Sequence, residues 1–448
     1  MAKEYDLVVI GTGTAAMGAA LRVRAAGWRV AVIDSRPFGG TCALRGCDPK
    51  KVLMGGAAAL DHTRRMHGNG ITGEVHIDWP ALMAFKRRFT DPVPREHERH
   101  YAEKGIDTYQ GQARFGGRNA VKVDSKALGA RHVLIASGAE PISLGIAGEE
   151  HLLTNEEFLA LETLPRRIVL VGGGYIAAEF AHIATRAGAN VTILQHGERM
   201  LKHFDPDLVG WLMEAFHARG IDVRTQTTVE AIERTHDGLR VRAAAAARKV
   251  EIDADMVVHA AGRAPALGAL DLAAGGVDMQ NGRLRLNEYL QSVSNPAVYA
   301  AGDAAQTGPA LTPVAGHNGH VAAANLLQGN HCTPDYTGVP SVVFTLPPLA
   351  AVGLSEEKAR AQGLRFHVHS QKASDWFTAR QAAEPIYGFK VLMEERTDRV
   401  LGAHLVGPHA DEVINLFALA IRHGITAQAL KTTLLAYPTG GSDIVHML

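Results

Sequence analysis

An α/β fold is predicted by three features of the sequence. A strand–glycine turn–helix–strand pattern stands at the N-terminus, a second copy begins near residue 167, and the pattern changes after Val339. Each copy has the layout of a Rossmann-like dinucleotide-binding unit. The last region mixes apolar strands with two helices, as an α+β module does. At 448 residues the chain can build several separate cores.

In the first copy, Tyr5-Asp6-Leu7-Val8-Val9-Ile10 reads as a buried parallel strand. Gly11-Thr12-Gly13-Thr14-Ala15-Ala16 follows as G-x-G-x-x-A and opens an Ala-rich helix to about Ala26. Gly11 and Gly13 let the backbone turn close to a pyrophosphate on the helix N-terminus; Thr14 and Ala16 complete the turn. The next strand, Val30–Ile33, ends in Asp34, placed for a ribose hydroxyl.

The stretch Gly39-Gly40-Thr41-Cys42-Ala43-Leu44-Arg45-Gly46-Cys47-Asp48-Pro49-Lys50-Lys51 holds two of the three cysteines. In a regular helix their spacing puts the Cα atoms roughly 8–9 Å apart. A disulfide needs about 4.4–6.8 Å, so the two can bridge only along an irregular backbone. Gly39, Gly40 and Gly46 permit one, and Pro49 suits a first helical turn. The expected arrangement is a loop carrying Cys42 and a helix starting near Cys47. A thiol there, with Lys50 and Lys51 nearby, has a lowered pKa and exchanges readily with disulfides. Two buried structural thiols are the plainer alternative. A zinc half-site lacks a second Cys/His pair at ligand spacing, so no metal site is expected.

Residues 52–100 read as helices with turns at Gly68–Gly73 and Asp91–Pro94 and charges on a solvated surface. Residues 105–135 alternate as in a small antiparallel sheet, before Val133-Leu134-Ile135-Ala136-Ser137-Gly138-Ala139 runs from strand into turn. The second copy comprises the strand Arg167–Val171, the turn Gly172-Gly173-Gly174-Tyr175-Ile176-Ala177, a helix to about Ala187, and the strand Val191–Leu194. Where an acid would bind a free 2′-hydroxyl stands Gln195, followed by His196, Arg199 and Lys202. That pattern favours a 2′-phosphate, hence NADPH, with NADH possible. Tyr175 and Glu179, four apart, share a helix face.

Basic and acidic residues balance at 46 each, which argues against nucleic acid or an anionic membrane as partner. No apolar run is long enough to span a bilayer. Met1 to Ile10 lacks a signal-peptide layout, and cysteines are few, so a reducing cytoplasm is expected, where a disulfide is usually catalytic or redox-sensing. Cys332, in a polar linker, reads as incidental.

Taken together, GGTC-x4-C-x-PKK and the two glycine turns resemble the FAD-dependent pyridine nucleotide–disulfide oxidoreductases, the group of glutathione reductase, dihydrolipoamide dehydrogenase and mercuric reductase. The resemblance implies FAD-binding segments at 1–145 and 265–335, an NAD(P)-binding domain at 146–264, and an interface domain at 336–448 that forms a homodimer. It implies a redox disulfide between Cys42 and Cys47, with Cys47 nearer the flavin and Cys42 as interchange thiol. Gly40, Thr41, Ser137, Gly138, Gly262, Arg263, Gly302 and Asp303 fall in segments similar to the family's FAD-binding motifs. Tyr175 matches the residue gating the flavin, and Ile176 lies beside it. Glu179 matches the acid that pairs with a lysine after the second cysteine, here Lys50 or Lys51.

The resemblance breaks near the C-terminus. The disulfide reductases carry His-Pro there and a Glu five residues after the His; this chain has Tyr437-Pro438 and Ser442. Tyr437 as a base at neutral pH would need about a 3-unit shift, roughly 4 kcal/mol. A hydrogen-bonding or lining role is the expectation, and Asp443 and His446 are partial substitutes. The C-terminal cysteine pair of mercuric reductase is absent. The adjacent arginines of glutathione-binding relatives read Leu21-Arg22. The expected activity is NAD(P)H:disulfide oxidoreduction with a small or protein disulfide, the active site being completed by the second subunit. A quinone or metal-ion reductase and a low-turnover flavin–dithiol sensor are the alternatives.

Overall fold

The computed structural model describes residues 3–245 and 248–448. The part of the N-terminal reading that falls on Met1 and Ala2 lies outside them. The chain divides into two compact units.

The first unit holds the described residues up to Lys50, then Phe85–Ile142 and Arg263–Tyr336. Its strand Lys3–Ile10 pairs in parallel with Val30–Asp34 on one side and Lys126–Ile135 on the other. Asp107–Gln110 and Val298–Ala300 extend the parallel sheet. Ala120–Val123 pairs antiparallel with Lys126–Ile135, and Ala113–Gly117 pairs antiparallel with Ala120–Val123. The small antiparallel sheet expected at 105–135 is met by the three strands of 113–135, which continue the parallel sheet, while Asp107–Gln110 joins the other edge in parallel. The run Val133-Leu134-Ile135 is buried on both faces, as an interior parallel strand requires. Alternation sends Val8, Ile10 and Ile33 to one apolar layer, and Leu7, Val9 and Val32 to another against the Ala-rich helix Thr14–Ala25.

The second unit holds Lys51–Ala84, Ser143–Gly262 and Thr337–Leu448. Arg167–Val171 lies between Asn190–Leu194 and Met256–His259 in a parallel sheet. The helix Tyr175–Arg186 buries a run of alanines, and Phe180 stacks on Phe158 at 4.1 Å. A five-stranded antiparallel sheet follows, from Ser341–Val343 to Phe366–Lys372. It is covered by Ala410–His423, whose Val413, Ile414 and Phe417 are buried.

The charges of 52–100 are not all solvated, which corrects that expectation. Asp61 is buried. Its carboxylate meets Arg186 at 2.8 Å, Arg65 at 3.0 Å and Arg219 at 3.2 Å, and Arg65 also meets Glu384 at 3.1 Å. The cause is periodicity: Asp61 lies one turn after the core residue Ala57 and shares its inward face. A charge placed there needs partners, because desolvation alone would expel it.

Candidate active site

The dithiol stretch folds as two helices rather than a loop and a helix. Cys42 lies in the short helix Gly40–Arg45, and Cys47 opens the helix Cys47–Arg65. The expected loop around Cys42 is thus corrected. The start at Cys47 is as expected, and the irregular link between the two is Gly46 alone. The tight entry depends on Gly40, at φ +71°, where a Cβ would lie 2.4 Å from Gly13 Cα. That contact presses the dithiol stretch onto the first glycine turn.

Cys42, Cys47 and Cys332 are free thiols. One hydroxyl serves both cysteines of the pair: Thr312 Oγ1 donates to Cys42 Sγ at 3.2 Å and lies 3.3 Å from Cys47 Sγ. The Cys42 thiol also donates to Asp48 Oδ1 at 3.9 Å. The hydrogen bond between the two thiols splits their acidities. It draws Cys47 down to about 6, with Thr312 and the Lys50 charge acting in the same sense against partial burial. It pushes Cys42 up, and burial and the Asp48 charge add to that. Near neutral pH the pair therefore holds one thiolate, on Cys47, and one proton, on Cys42.

Around the first glycine turn the residues fit a dinucleotide. No side chain among the described residues caps the helix Thr14–Ala25, which leaves its first N–H groups for a phosphate. Asp34 closes the strand as expected, accepting from Thr12 Oγ1 at 2.6 Å and from the Arg36 N–H at 3.0 Å. Ser137 Oγ is shielded from solvent and has no partner among the described residues. A buried hydroxyl in that state fits a bound polar group. Asp303, beside Gly302, is pushed up by burial while the Arg263 charge opposes the shift. Arg263 in turn donates to the Ala139 carbonyl, just after Gly138. Thr41 and Ala16 lie in the same unit, Ala16 fully buried. Gly262 precedes Arg263 at φ +122°.

The second glycine turn repeats the geometry. A Cβ on Gly172 would lie 2.3 Å from the Ala260 carbonyl oxygen, and no side chain among the described residues caps the helix after Gly174. Gln195 folds onto its own loop, donating to the Arg199 carbonyl at 3.4 Å. Arg199 donates to the carbonyls of Lys202 and Phe204 at 2.8 and 2.9 Å, so it serves the loop. His196 and Lys202 are exposed. Tyr175 stands edge-on to Phe204 at 5.6 Å, and Ile176 packs on the same core.

Glu179 is buried and accepts from the Phe344 N–H at 2.9 Å. Lys51 Nζ stands 3.7 Å over the Phe344 ring and 3.4 Å from Asp411 Oδ2. Lys51 thus has a carboxylate that sequence reasoning missed; 360 residues separate the two, and nothing local signals the contact. Lys50 acts on the Cys47 sulfur. Asp48 was also missed, although its place next to Cys47 was a usable signal.

The C-terminal segment does other work. Asp443 accepts from Tyr387 OH at 2.6 Å, and Ser442 closes a capping box with Thr439. His446 stands edge-on to Trp376 at 5.8 Å. Tyr437 is 78 % exposed, its ring near Phe377.

Two strand–glycine turn–helix units, a dithiol at a helix start and a C-terminal antiparallel sheet make up the layout of a flavin-dependent dithiol oxidoreductase. Comparison with known proteins agrees. Residues 5–319 match the pyridine nucleotide-disulphide oxidoreductase family, and residues 339–448 match its dimerisation domain. A glutathione reductase of Burkholderia cepacia is 33 % identical, covering 99 % of this chain and 98 % of that one. A mercuric reductase of Lysinibacillus sphaericus is 31 % identical over 97 % of this chain and 80 % of its own. The structure of the HOCl-induced flavoprotein disulfide reductase RclA from Escherichia coli, as a Cu(II) complex, matches with a TM-score of 0.89. It is 26 % identical and covers 100 % of this chain and 99 % of that one. The chain belongs to the class I pyridine nucleotide–disulfide oxidoreductase family: it is an NAD(P)H-dependent flavin disulfide oxidoreductase. Among the described residues no helix is long and apolar enough to cross a membrane.

Proposed function

We propose that this chain works as a cytoplasmic homodimer that takes electrons from NADPH and delivers them through Cys47 and Cys42 to a small or protein disulfide. The observation that carries the reading is the split pair: a thiolate-biased Cys47 and a protonated Cys42 under one Thr312 hydroxyl. FAD, when bound, supplies the two-electron step between nicotinamide and dithiol. Gly11, Gly13, Thr14, Ala16 and Asp34 hold its pyrophosphate and ribose end, and Gly40, Thr41, Ser137, Gly138, Gly262, Arg263, Gly302 and Asp303 line the rest. Gly172, Gly174, Tyr175 and Ile176 seat the nicotinamide nucleotide. His196 and Lys202 face its 2′-phosphate, a choice supported by the absence of an acid at Gln195. Glu179 and Lys51 brace the second unit through Phe344, while Lys50 holds the Cys47 charge. Exposed Leu434, Tyr437 and Phe377 support a subunit contact in the dimerisation domain. The three cysteines in 448 residues support a reducing compartment.

Stopped-flow spectroscopy tests the reading. NADPH should give a long-wavelength thiolate–flavin charge-transfer absorbance within the turnover time, and a small disulfide should erase it. No such absorbance at any pH from 6 to 9 refutes the dithiol route. A second reading has the acceptor as a quinone or metal ion, and it is favoured by the Tyr437 side chain where the disulfide reductases carry histidine. Cys42→Ser separates the two, since it abolishes disulfide turnover and spares quinone reduction. Turnover well below 1 s⁻¹ with every acceptor would point to a sensor instead.

A further inference from the structure

Thiol–disulfide exchange at Cys42 requires that its proton leave as the sulfur attacks, and that a departing thiolate receive one. The relatives' histidine is missing, and in the C-terminal segment Asp443 accepts from Tyr387 while His446 stands edge-on to the Trp376 ring. Besides the Cys47 sulfur, a carboxylate touches the Cys42 proton. Asp48 Oδ1 accepts from the Cys42 thiol at 3.9 Å. Asp48 lies in the first turn of the Cys47 helix, so the carboxylate is fixed to the backbone that carries the second sulfur. The charged groups acting on the two sulfurs are Asp48 and Lys50, and Thr312 adds a neutral hydroxyl.

The geometry points to Asp48 as the proton carrier for Cys42, a catalytic carboxylate in place of the absent histidine. This rests on the disulfide-reducing route proposed above. In the first exchange the Cys42 sulfur bonds to one sulfur of the acceptor, and the acceptor's S–S bond breaks. The Cys42 proton passes to the Asp48 carboxylate and on to the leaving sulfur, which departs as a thiol. In the second exchange the Cys47 thiolate bonds to Cys42 Sγ, and the second acceptor sulfur departs as a thiolate. The dithiol is oxidised by two electrons, the acceptor disulfide is reduced by two, and one negative charge is present before and after.

A proton carrier matters most when the leaving thiol is weakly acidic. The test compares wild type, Asp48→Asn and Asp48→Glu as FAD-loaded enzyme, with NADPH as reductant. The acceptors are bis(2-hydroxyethyl) disulfide, whose thiol is weakly acidic, and an aromatic bis(nitrobenzoate) disulfide, whose thiol is strongly acidic. Asp48→Asn should lower kcat/KM on the aliphatic disulfide by about tenfold more than on the aromatic one, with partial recovery in Asp48→Glu. Equal losses on both, or none, would overturn the proposal. A second readout does not need turnover. In the NADPH-reduced enzyme, the pH midpoint for iodoacetamide labelling of Cys42, read by peptide mass, should fall by about one unit in Asp48→Asn. An unchanged midpoint also overturns it. If wild type reduces neither disulfide, the proposed function fails while the labelling midpoint still decides whether Asp48 holds the Cys42 proton.

Discussion

In Gly39–Lys51 the polar groups close on sulfur, whereas in Tyr437–Leu448 they close on their own scaffold. Thr312, Asp48 and Lys50 all act on Cys42 or Cys47. Asp443 and Ser442 are bonded to Tyr387 and Thr439, and His446 stands edge-on to Trp376. In the first segment the polar side chains act on the sulfurs, and in the second Asp443 and Ser442 hold the local fold. A side chain's role follows from what it is already committed to, and Asp443 and Ser442 are committed to structure.

The largest effect expected from this contrast is at Cys47. Cys47→Ser removes the thiolate and should cut disulfide turnover by about a thousandfold or more, with the charge-transfer absorbance gone. Loss of turnover with the absorbance retained would place the thiolate elsewhere. The next test is pH. The folded pKa of Cys47 is lowered to about 6, so its thiolate is present above that value and is lost as pH falls through it. In the NADPH-reduced enzyme the absorbance should halve near pH 6 and fall about tenfold a unit below. A midpoint at an ordinary thiol value, about 8.5, would mean that Cys42, Thr312 and Lys50 do not act on that sulfur.

A smaller effect is expected in the C-terminal segment, and on a different observable. Tyr387→Phe removes the hydrogen bond to Asp443 and should reduce stability by about 1–2 kcal/mol, seen as a lower urea midpoint. Turnover per folded enzyme should stay within about twofold, because Asp443 holds the scaffold. A tenfold drop in turnover with unchanged stability would give Asp443 a chemical role and erase the contrast.

Much of the first unit was legible because its information is local. Gly11, Gly13 and Asp34 sit at spacings that predict the strand–turn–helix unit seen there, and a helix start at Cys47 follows from Pro49 two residues on. Cys42 was misplaced into a loop because Gly39 and Gly40 read as breakers, whereas here they let a short helix form against Gly13. The contacts of Asp411 with Lys51 and of Tyr387 with Asp443 were not legible, since each joins residues distant in sequence. Asp61 failed for another reason: it looked like one charge among many on a polar helix. Its partners Arg186 and Arg219 arrive from elements more than a hundred residues away, as does Glu384, which pairs with the neighbouring Arg65.

Tyr437 is the place where the two segments could still prove alike, and its expected effect is the smallest. The family resemblance pairs it with a proton-handling histidine, and it is 78 % exposed. If its hydroxyl only donates a hydrogen bond to an acceptor, Tyr437→Phe forfeits about 0.5–1.5 kcal/mol. That corresponds to a loss of kcat/KM between twofold and about tenfold, similar for aliphatic and aromatic disulfides. General acid–base work is larger, about 10²–10⁴-fold, and should fall more heavily on the aliphatic disulfide. Steady-state rates of the variant on the two disulfides therefore discriminate by both size and selectivity. A hundredfold loss confined to the aliphatic disulfide would return proton handling to the C-terminal segment, and Asp48 would then be the bystander.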